Sequence, residues 1–350
     1  MHHVNGVFQH YSWGHPSAIT DLVGGVADGR PQAELWFGTH AGGPSTLDDG
    51  RSLESLVGPL PYLLKVLSAE SPLSLQVHPS REQAAHGFDR EEAAGAPINS
   101  PLRTYRDRMH KPELLYALTP FDAVCGVAPL DDTDTLLAEL GSPASSLRWT
   151  LDHGGVDAAI RLVLHDRPDL TDLVAAAANH RDPRCQWLVV AAEMYPGDSS
   201  AAILLLLNHV AMQPGDAIFL GAGNLHAYLR GTGIEIMASS DTVLRCGLTV
   251  KHVEADEVLR VLDDSVLTDP LVHPVVDHDG GVTYPVPVDD FRITRYDIDG
   301  TARWVADGPE LVFCTAGTTD GIHRGQCMAL RDGEHALLTG TATVLRAGGR

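Results

Sequence analysis

The chain has 350 residues, with 25 lysines and arginines against 46 aspartates and glutamates, so its formal net charge is −21. This charge argues against nucleic acid or an anionic membrane as a partner. The N-terminal run M-H-H-V-N-G-V-F-Q-H-Y lacks the parts of a signal peptide, the most apolar run (201–208) is too short to span a bilayer, and the five cysteines form no C-x-x-C pair, so we expect a soluble cytoplasmic protein with reduced cysteines in its core.

The first 126 residues are predicted to be mostly short strands and turns. Their apolar runs are cut by G-G-V-A-D-G-R-P and T-H-A-G-G-P-S, which is typical of β structure. A helix is predicted at 81–94, where Glu, Ala and Arg are frequent. From 127 to 184 the pattern changes, because three segments have helical spacing with Asp or Thr near their starts. We interpret 127–184 as a helical insertion.

After this insertion the β pattern returns. The runs W-L-V-V-A-A-E-M-Y (187–195) and A-I-F-L (217–220) predict strands, and a short helix is expected in K-H-V-E-A-D-E-V-L-R-V-L. Length alone suggests roughly two or three domains. We therefore predict a mainly β fold, with one β domain formed by 1–126 and 185–260 and a second, C-terminal β domain at 261–350.

The run S-L-Q-V-H-P-S (74–80) places two polar side chains in apolar surroundings. In an extended strand Gln76 and His78 point to one face, while Leu75 and Val77 point to the other. Burying an unpaired amide or hydroxyl costs roughly 2–7 kcal/mol, so that face must bind these polar groups. Their partner is either another side chain or a metal ion.

Two further segments combine metal-ligand residue types with apolar surroundings. H-K-P-E (110–113) opens the run L-L-Y-A-L, and G-A-G-N-L-H-A-Y (221–228) follows the strand A-I-F-L. Together the segments offer two imidazoles, one carboxylate and one amide oxygen, from His78, His226, Glu113 and Gln76. This set suits a divalent metal without thiolates, and its single negative charge leaves a net positive ion open to a water or substrate oxygen.

Lysine is scarce, and its positions indicate function. Of the 25 basic residues only three are lysines: Lys65, Lys111 and Lys251. The first two lie in or beside the metal-ligand segments, and the third follows the last of them. An ammonium is a compact charge with a tunable pKa, which a guanidinium cannot match. Chance placement is the alternative, and we favour function.

The stretch G-I-E-I-M-A-S-S-D-T-V-L-R-C-G-L-T (233–249) is predicted to be a strand, a polar turn and a second strand. Its charged residues Glu235, Asp241 and Arg245 interrupt apolar surroundings. Alone they could form a structural ion-pair network. Beside a metal and lysines they indicate the rim of an active site.

Four blocks of this sequence resemble the signature blocks of type I mannose-6-phosphate isomerases. They are A-E-L-W-F-G-T-H-A-G-G-P-S (33–45), L-L-K-V-L-S-A-E-S-P-L-S-L-Q-V-H-P (63–79), H-K-P-E (110–113) and the run from 225 to 253. The resemblance covers roughly residues 5–260 and is weak in the last ninety. It implies cupin-type jelly rolls plus the helical domain, and a zinc-dependent enzyme of carbohydrate metabolism that interconverts mannose 6-phosphate and fructose 6-phosphate and supplies GDP-mannose biosynthesis.

The resemblance also implies site residues. One Zn²⁺ per chain would be held by Gln76, His78, Glu113 and His226, and Arg245 would be an active-site arginine. The chain departs from the family pattern at Met109 and Thr242, where asparagine is usual, and at Val250, where proline is usual. None of these three is a ligand, so the departures concern the substrate pocket more than the metal.

Moving a proton between C1 and C2 of the sugar requires an acid–base group and stabilisation of an enediolate. Lys111, Glu235 and Asp241 are the candidates for the proton, and the sequence does not choose between them. Arg245 either binds phosphate or stabilises the enediolate, and we favour the second role.

Further residues are expected to contact the substrate. Lys65 and Lys251 are predicted phosphate contacts. Ser74 and Tyr228, which lie in the resembling blocks, are candidate substrate contacts as well. The expected partner is a small phosphosugar bound by a monomer.

Two other classes of function stay open at this point. Two histidines and a carboxylate on a cupin also suit an iron oxygenase, although the neutral Gln76 and the retained lysines fit a redox-silent phosphosugar site better. The second alternative is a non-catalytic sugar-phosphate sensor, against which the complete ligand set argues.

Overall fold

The computed structural model describes residues 1–349 of the chain, and within them it contains eighteen strands and eight α-helices. The strands are β1 (His2–Asn5), β2 (Val7–Gln9), β3 (Glu34–Phe37), β4 (Thr46–Leu47), β5 (Tyr62–Ala69), β6 (Leu75–Val77), β7 (Glu113–Ala117), β8 (Phe121–Val127), β9 (Leu207–Met212), β10 (Ala217–Leu220), β11 (His226–Ala238), β12 (Leu244–Gly247), β13 (Val275–Val276), β14 (Val282–Thr283), β15 (Arg292–Val305), β16 (Glu310–Thr319), β17 (Cys327–Leu330) and β18 (His335–Gly348). The helices are α1 (Ala18–Val23), α2 (Glu54–Val57), α3 (Arg81–Ala93), α4 (Leu130–Glu139), α5 (Ser145–Arg161), α6 (Thr171–Ala177), α7 (Pro183–Met194) and α8 (Ala255–Val261).

Ten strands form one connected antiparallel set. Six of them follow the order β10-β7-β11-β5-β3-β2, while β6 pairs with β11 and β12, and β8 pairs with β11 and β9. The long strand β11 therefore belongs to two parts of the set, because its first residues pair with β6 and β8 and its last residues with β5 and β7. It changes partners near Gly231, whose φ of 131° and missing Cβ let the backbone lie against Phe121.

A second antiparallel sheet has the order β13-β14-β15-β18-β16-β17-β1-β4. Its strands β1 and β4 come from the N-terminal part of the chain, so residues 261–350 do not build this sheet alone. The hydroxyl of Tyr62 donates to the carbonyl oxygen of Ala347 at 3.0 Å, and the rings of Phe37 and Phe313 lie 5.6 Å apart. The two sheets consequently share one apolar core, and the C-terminal sheet, meaning the eight strands above, is packed against the ten-stranded set.

The helical insertion is longer than predicted. Helix α7 occupies residues that we had predicted as the strand 187–195 and as part of a β domain from 185, and a 3₁₀ segment, Ser199–Leu206, follows it. The strand prediction is wrong because a short, fully apolar run does not distinguish a buried strand from a buried helix. Two local signals start the helix: Pro183 at its first turn and Asp182, whose side chain accepts from the backbone N–H of Arg184.

Other predicted elements are confirmed. Helix α3 covers the predicted helix 81–94, α8 is the short helix expected near 255–261, and β10 is the strand A-I-F-L. The predicted strand, polar turn and strand of 233–249 correspond to the end of β11, a connecting loop and β12. The mainly β architecture with a helical insertion is therefore confirmed, while the division into domains stays a prediction.

The five cysteines are all buried and unpaired, which confirms them as core residues. No helix within residues 1–349 has the length and apolar character needed to cross a membrane.

Candidate metal centre and active-site cleft

Strand register gathers the predicted site residues on one face. Strand β6 lies between β11 and β12, and Gln76 is directly opposite His226 on one side and Arg245 on the other. Directly opposed residues of antiparallel strands point to the same face. The amide of Gln76 donates to the hydroxyl of Ser74 at 3.2 Å. The Q-V-H segment thus lies between the strand that carries His226 and the strand that carries Arg245.

Three side chains converge on one point at this face. His78, Glu113 and His226 each offer a ligand atom, and these atoms all lie within 4.8 Å of one another. The Nε2 atoms of both histidines are 3.4 Å from Oε2 of Glu113. The Nδ1 of His226 lies 2.9 Å from the carbonyl oxygen of Asn224, to which it donates when protonated. This hydrogen bond orients the ring and leaves the lone pair of Nε2 free to bind a metal ion.

The burial and hydrogen bonding of His78 show whether these residues fit a metal ion. Both of its ring nitrogens are buried, and neither has a hydrogen-bond partner in the described part of the chain. Such orphaned polar atoms are rare in protein interiors because they are costly. Burial lowers the pKa of His78 to about 4, so the imidazole is neutral near pH 7, which is the form that binds metals. The centre, with Gln76 adjacent, fits a divalent ion.

Lys111 and Glu113 form a close ion pair within the H-K-P-E segment. The Nζ atom of Lys111 lies 2.6 Å from Oε1 of Glu113, and both side chains are buried. Burial opposes ionisation of Glu113, but the charge of Lys111 and the nearby imidazoles of His78 and His226 outweigh it and hold the pKa of Glu113 well below the usual range. The carboxylate is therefore ionised, as a metal ligand must be.

A second buried ion pair lies beside the metal centre. The Nζ atom of Lys65 is 2.7 Å from Oε2 of Glu235 and 3.6 Å from Oε1 of Glu34. The hydroxyl of Tyr228 donates to Oε1 of Glu235 at 2.8 Å, and the indole N–H of Trp36 donates to Glu34 at 2.7 Å. Sequence reasoning missed Glu34 and Trp36, because only the pairing of β3 with β5 brings them to Lys65.

The site opens into a cleft of about 730 Å³. A smaller cavity lies at the floor of this cleft and is lined by Glu113, His226, Tyr228 and Glu235. The cleft and the smaller cavity share six further lining residues. These six are Glu34, Lys65, Leu73, Ser74, Gln76 and Lys111. The cleft falls within the volume range of small-ligand sites, and the metal centre lies at its floor.

Three cations line the outer part of the cleft: Arg106, Arg245 and Lys251. None of the three forms a salt bridge with another residue in 1–349, although all three line the same cleft. Burial and the charge of Arg106 lower the pKa of Arg245, and burial together with both arginines lowers the pKa of Lys251. We call these three residues the cation cluster. Such mutual repulsion between cations that have no salt-bridge partner in the described structure is relieved by a bound anion.

Arg106 was missed in the sequence analysis. It lies four residues before His110 in Y-R-D-R-M-H-K-P-E, so the nearness to a ligand segment was visible. The sequence could not show that Arg106 has no salt-bridge partner among the described residues, because that depends on its surroundings in three dimensions. The tyrosine Tyr11 also lines the cleft and was missed; burial and the charge of Glu34 raise its pKa.

The structure places Asp241 at the mouth of the cleft rather than at the metal centre. Its side chain is 58 % exposed and lies 3.4 Å from Nε2 of His40, whose hydrogen bond lowers the pKa of Asp241. Of the three departures from the family pattern, Thr242 is buried and its hydroxyl accepts from the backbone N–H of Arg106, whereas Val250 and Met109 are exposed. The departures leave the metal ligands unchanged.

Comparison with known proteins identifies the family. The model of the phosphomannose isomerase type I catalytic domain matches residues 52–130. The mannose-6-phosphate isomerase of Salmonella typhimurium is 33% identical over 378 aligned positions, which cover 99% of this chain and 96% of the relative. The human mannose-6-phosphate isomerase is 31% identical, with 84% of this chain and 81% of the relative covered.

Solved structures agree with this result. A zinc-bound crystal structure of mannose 6-phosphate isomerase has a TM-score of 0.88 at 30% identity, and the Salmonella typhimurium enzyme bound to fructose 6-phosphate and zinc has a TM-score of 0.87 at 30% identity. Both comparisons cover 100% of this chain and 99% of the other. They confirm the cupin-type fold that the resemblance implied. The chain belongs to the type I mannose-6-phosphate isomerase family.

Proposed function

We propose that the protein interconverts mannose 6-phosphate and fructose 6-phosphate, using one zinc ion per chain. The observation that carries this proposal is a single cleft with a buried metal-ligand triad at its floor and three unpaired cations near its mouth. The floor suits the carbonyl and hydroxyl oxygens at C1 and C2, and the cations suit a phosphate at the other end of the sugar.

His78, Glu113, His226 and Gln76 would hold the zinc. When bound there, zinc supplies Lewis acidity toward the sugar oxygens. Lys111 keeps Glu113 ionised through its 2.6 Å ion pair, so its first role is to support a ligand carboxylate. This contact makes Lys111 a weaker candidate for the proton than the sequence suggested.

We assign the proton transfer to Glu235, with Lys65 as its partner. Burial raises the pKa of Glu235, and the charges of Glu113 and Glu34 raise it further against the opposing effect of Lys65. A carboxyl group with a raised pKa at the floor of a cleft is suited to take a proton from C2 and return it at C1. Asp241 is less suited because its pKa is lowered and its side chain is exposed.

Two sequence predictions of substrate contacts change with this assignment. Lys65 was predicted to bind phosphate, but its buried ammonium is already paired with Glu235 and Glu34. Tyr228 was predicted to contact substrate, and its hydroxyl instead donates to Glu235. Both residues then position the base. Ser74, which accepts a hydrogen bond from Gln76 and lines the cleft, keeps its proposed contact with the substrate.

We assign the phosphate to two members of the cation cluster, Arg106 and Lys251, and the enediolate to the third, Arg245. Arg106 and Lys251 lie toward solvent, whereas Arg245 is directly opposite Gln76 in the strand register. Arg245 is therefore the member of the cation cluster that lies nearest the candidate metal ligands in the strand register, which supports the predicted contact with the enediolate oxygen. A cytoplasmic location, a monomeric state and a role in GDP-mannose supply stay predictions.

A coupled assay tests the proposal. The purified protein should convert fructose 6-phosphate to mannose 6-phosphate, lose activity on treatment with a chelator, and regain it with zinc. The comparisons give no support to an oxygenase or a sensor. Oxygen consumption with any bound metal would nevertheless contradict the isomerase assignment, and binding of fructose 6-phosphate without turnover would indicate a sensor.

A further inference from the structure

A charged cluster outside the cleft joins the C-terminal sheet to the two segments that carry metal ligands. Asp290 binds His110 and Arg81 through different oxygens: its Oδ2 is 2.8 Å from Nε2 of His110, and its Oδ1 is 3.1 Å from a terminal guanidinium nitrogen of Arg81. The side chains of His110 and Asp290 are only 16 % and 10 % exposed. The mechanism proposed above uses none of these three residues.

The sequence positions of Arg81 and His110 indicate what this cluster does. Arg81 follows His78 by three residues and begins α3, whose start is fixed by a reciprocal cap between Ser80 and Gln83. His110 precedes Glu113 by three residues and is the direct neighbour of Lys111. One carboxylate therefore holds both ligand-bearing segments from outside the cleft, in each case through a residue three positions from a candidate ligand.

Asp290 is the shared acceptor of the cluster. The same guanidinium nitrogen of Arg81 lies 2.7 Å from Nε2 of His110. When Nε2 carries a proton, both groups are donors, and two donors approach this closely only because a carboxylate accepts from each of them. Asp290 comes from the segment before β15, 180 positions away from His110 in the chain. Its removal leaves the two donors to separate.

We propose that Asp290 is a positioning residue for the metal centre. Through Arg81 and His110 it fixes the segments that carry His78, Glu113 and Lys111, and it thereby gives the C-terminal sheet a part in the reaction. This inference rests on the proposed function for its effect on turnover. Its effect on metal retention is independent of the reaction. The cation cluster lies in the cleft, away from Asp290, so substrate binding is not expected to depend on it.

The test compares Asp290→Asn with the wild-type holoenzyme. Hydrogen-bond partners of metal ligands typically affect metal affinity or activity by about 10- to 100-fold, and because Asp290 contacts no ligand directly we take the lower end of this range. We expect zinc transfer to a chromogenic chelator to become about 10-fold faster and kcat to fall by about 10-fold. The Michaelis constant for fructose 6-phosphate should change by less than about twofold, because the lost interaction is not with the substrate. Asp290→Glu retains the carboxylate and should recover part of both losses.

Two further variants keep the result interpretable. Asp299→Asn removes an exposed carboxylate of β15 and should behave as wild type in both measurements. Arg81→Gln changes a half-exposed side chain of the same cluster and should reproduce the faster zinc release even if Asp290→Asn does not fold. Wild-type zinc release and kcat in Asp290→Asn and Arg81→Gln would overturn the inference and reduce the cluster to a contact between sheets. A different result would overturn only the proposed function: the wild type has no isomerase activity, but Asp290→Asn still releases zinc faster than the wild type does.

Discussion

Lys65 and Glu235 are directly opposite each other on β5 and β11, with Nζ 2.7 Å from Oε2. Burial opposes the charge of Lys65, but Glu235 and Glu34 outweigh it and raise the pKa of Lys65 above its ordinary value. The ammonium therefore keeps its proton, and the carboxylate is the member of the pair that can accept one. Tyr228 donates to the other carboxylate oxygen, so the carboxylate of Glu235 is held on both sides.

This arrangement makes Glu235→Gln the most direct test of the proton-transfer assignment. The amide keeps the shape of the side chain but cannot accept the proton, so kcat should fall by at least about 100-fold, the size typical for loss of a general base. The Michaelis constant should change little, because the cation cluster is untouched. Glu193→Gln, on the exposed surface of α7, is the matched control and should be indistinguishable from wild type.

Lys111→Arg tests the rival assignment, in which Lys111 rather than Glu235 transfers the proton. A guanidinium retains the ion pair with Glu113 but not the tunable pKa of an amine. If Lys111 only supports the ligand carboxylate, the loss of kcat should stay within about 10-fold. A loss of about 100-fold in Lys111→Arg together with an active Glu235→Gln would transfer the proton to Lys111.

The metal assignment predicts that His78→Ala and His226→Ala lose both zinc and activity and remain folded. Neither ring nitrogen of His78 bonds to the described protein, so its removal breaks no hydrogen bond. Zinc content by mass spectrometry and secondary structure by circular dichroism measure the two outcomes. His273→Ala, whose side chain is 77 % exposed, should keep its zinc. Stoichiometric zinc in either ligand variant would remove that residue from the ligand set.

The buried cysteines predict an unreactive native protein. Burial raises the pKa of Cys125, Cys185 and Cys246 to about 12 in each case, with the other two also raised. The thiolate is the reactive form, so a disulfide reagent such as Ellman's should label none of the five at pH 7 to 8 on the timescale of minutes. The same reagent in denaturant should label all five. Rapid labelling of the native protein would show that the core opens locally.

The candidate metal ligands could be identified from sequence because each is a polar residue in an apolar run. Gln76 and His78 interrupt a buried segment, and a group that is costly to bury needs a partner. The ion pair of Lys65 with Glu235 could not be predicted in the same way. It depends on the register of two strands 170 residues apart, and register is set by the whole sheet. The sequence therefore indicated that Lys65 mattered but did not indicate its ion pair with Glu235.

Two other misses have different physical causes. Helix α7 was predicted as a strand because its apolar run has no periodicity that separates helix from strand, although Asp182 and Pro183 mark a helix start. Arg106 was missed because a basic residue is informative only when its surroundings lack carboxylates, and no local pattern records that. The fold class could be predicted because it depends on composition and turn residues, which are visible along the whole sequence.

Arg245 and its neighbours allow the two roles of a cation to be separated by kinetics. Arg106 and Lys251 lie in the outer cleft, so their contact with phosphate is the same in the ground state and the transition state. Arg106→Gln and Lys251→Gln should raise the Michaelis constant about 10-fold with kcat nearly unchanged, as expected for loss of a hydrogen bond to a charged group. The Michaelis constant of wild type should also rise with ionic strength, and less so in these variants.

Arg245→Gln should give the opposite signature. Arg245 is directly opposite the candidate ligand Gln76 in the strand register, and we propose that it contacts the enediolate oxygen. Its loss should therefore lower kcat by about 100-fold or more with a small change in the Michaelis constant. Exchange of the C2 proton with solvent should slow in proportion, because it passes through the same enediolate. Arg303→Gln, an exposed arginine of β15, controls for the loss of one positive charge. Normal turnover with weakened binding in Arg245→Gln would place Arg245 on the phosphate with Arg106 and Lys251.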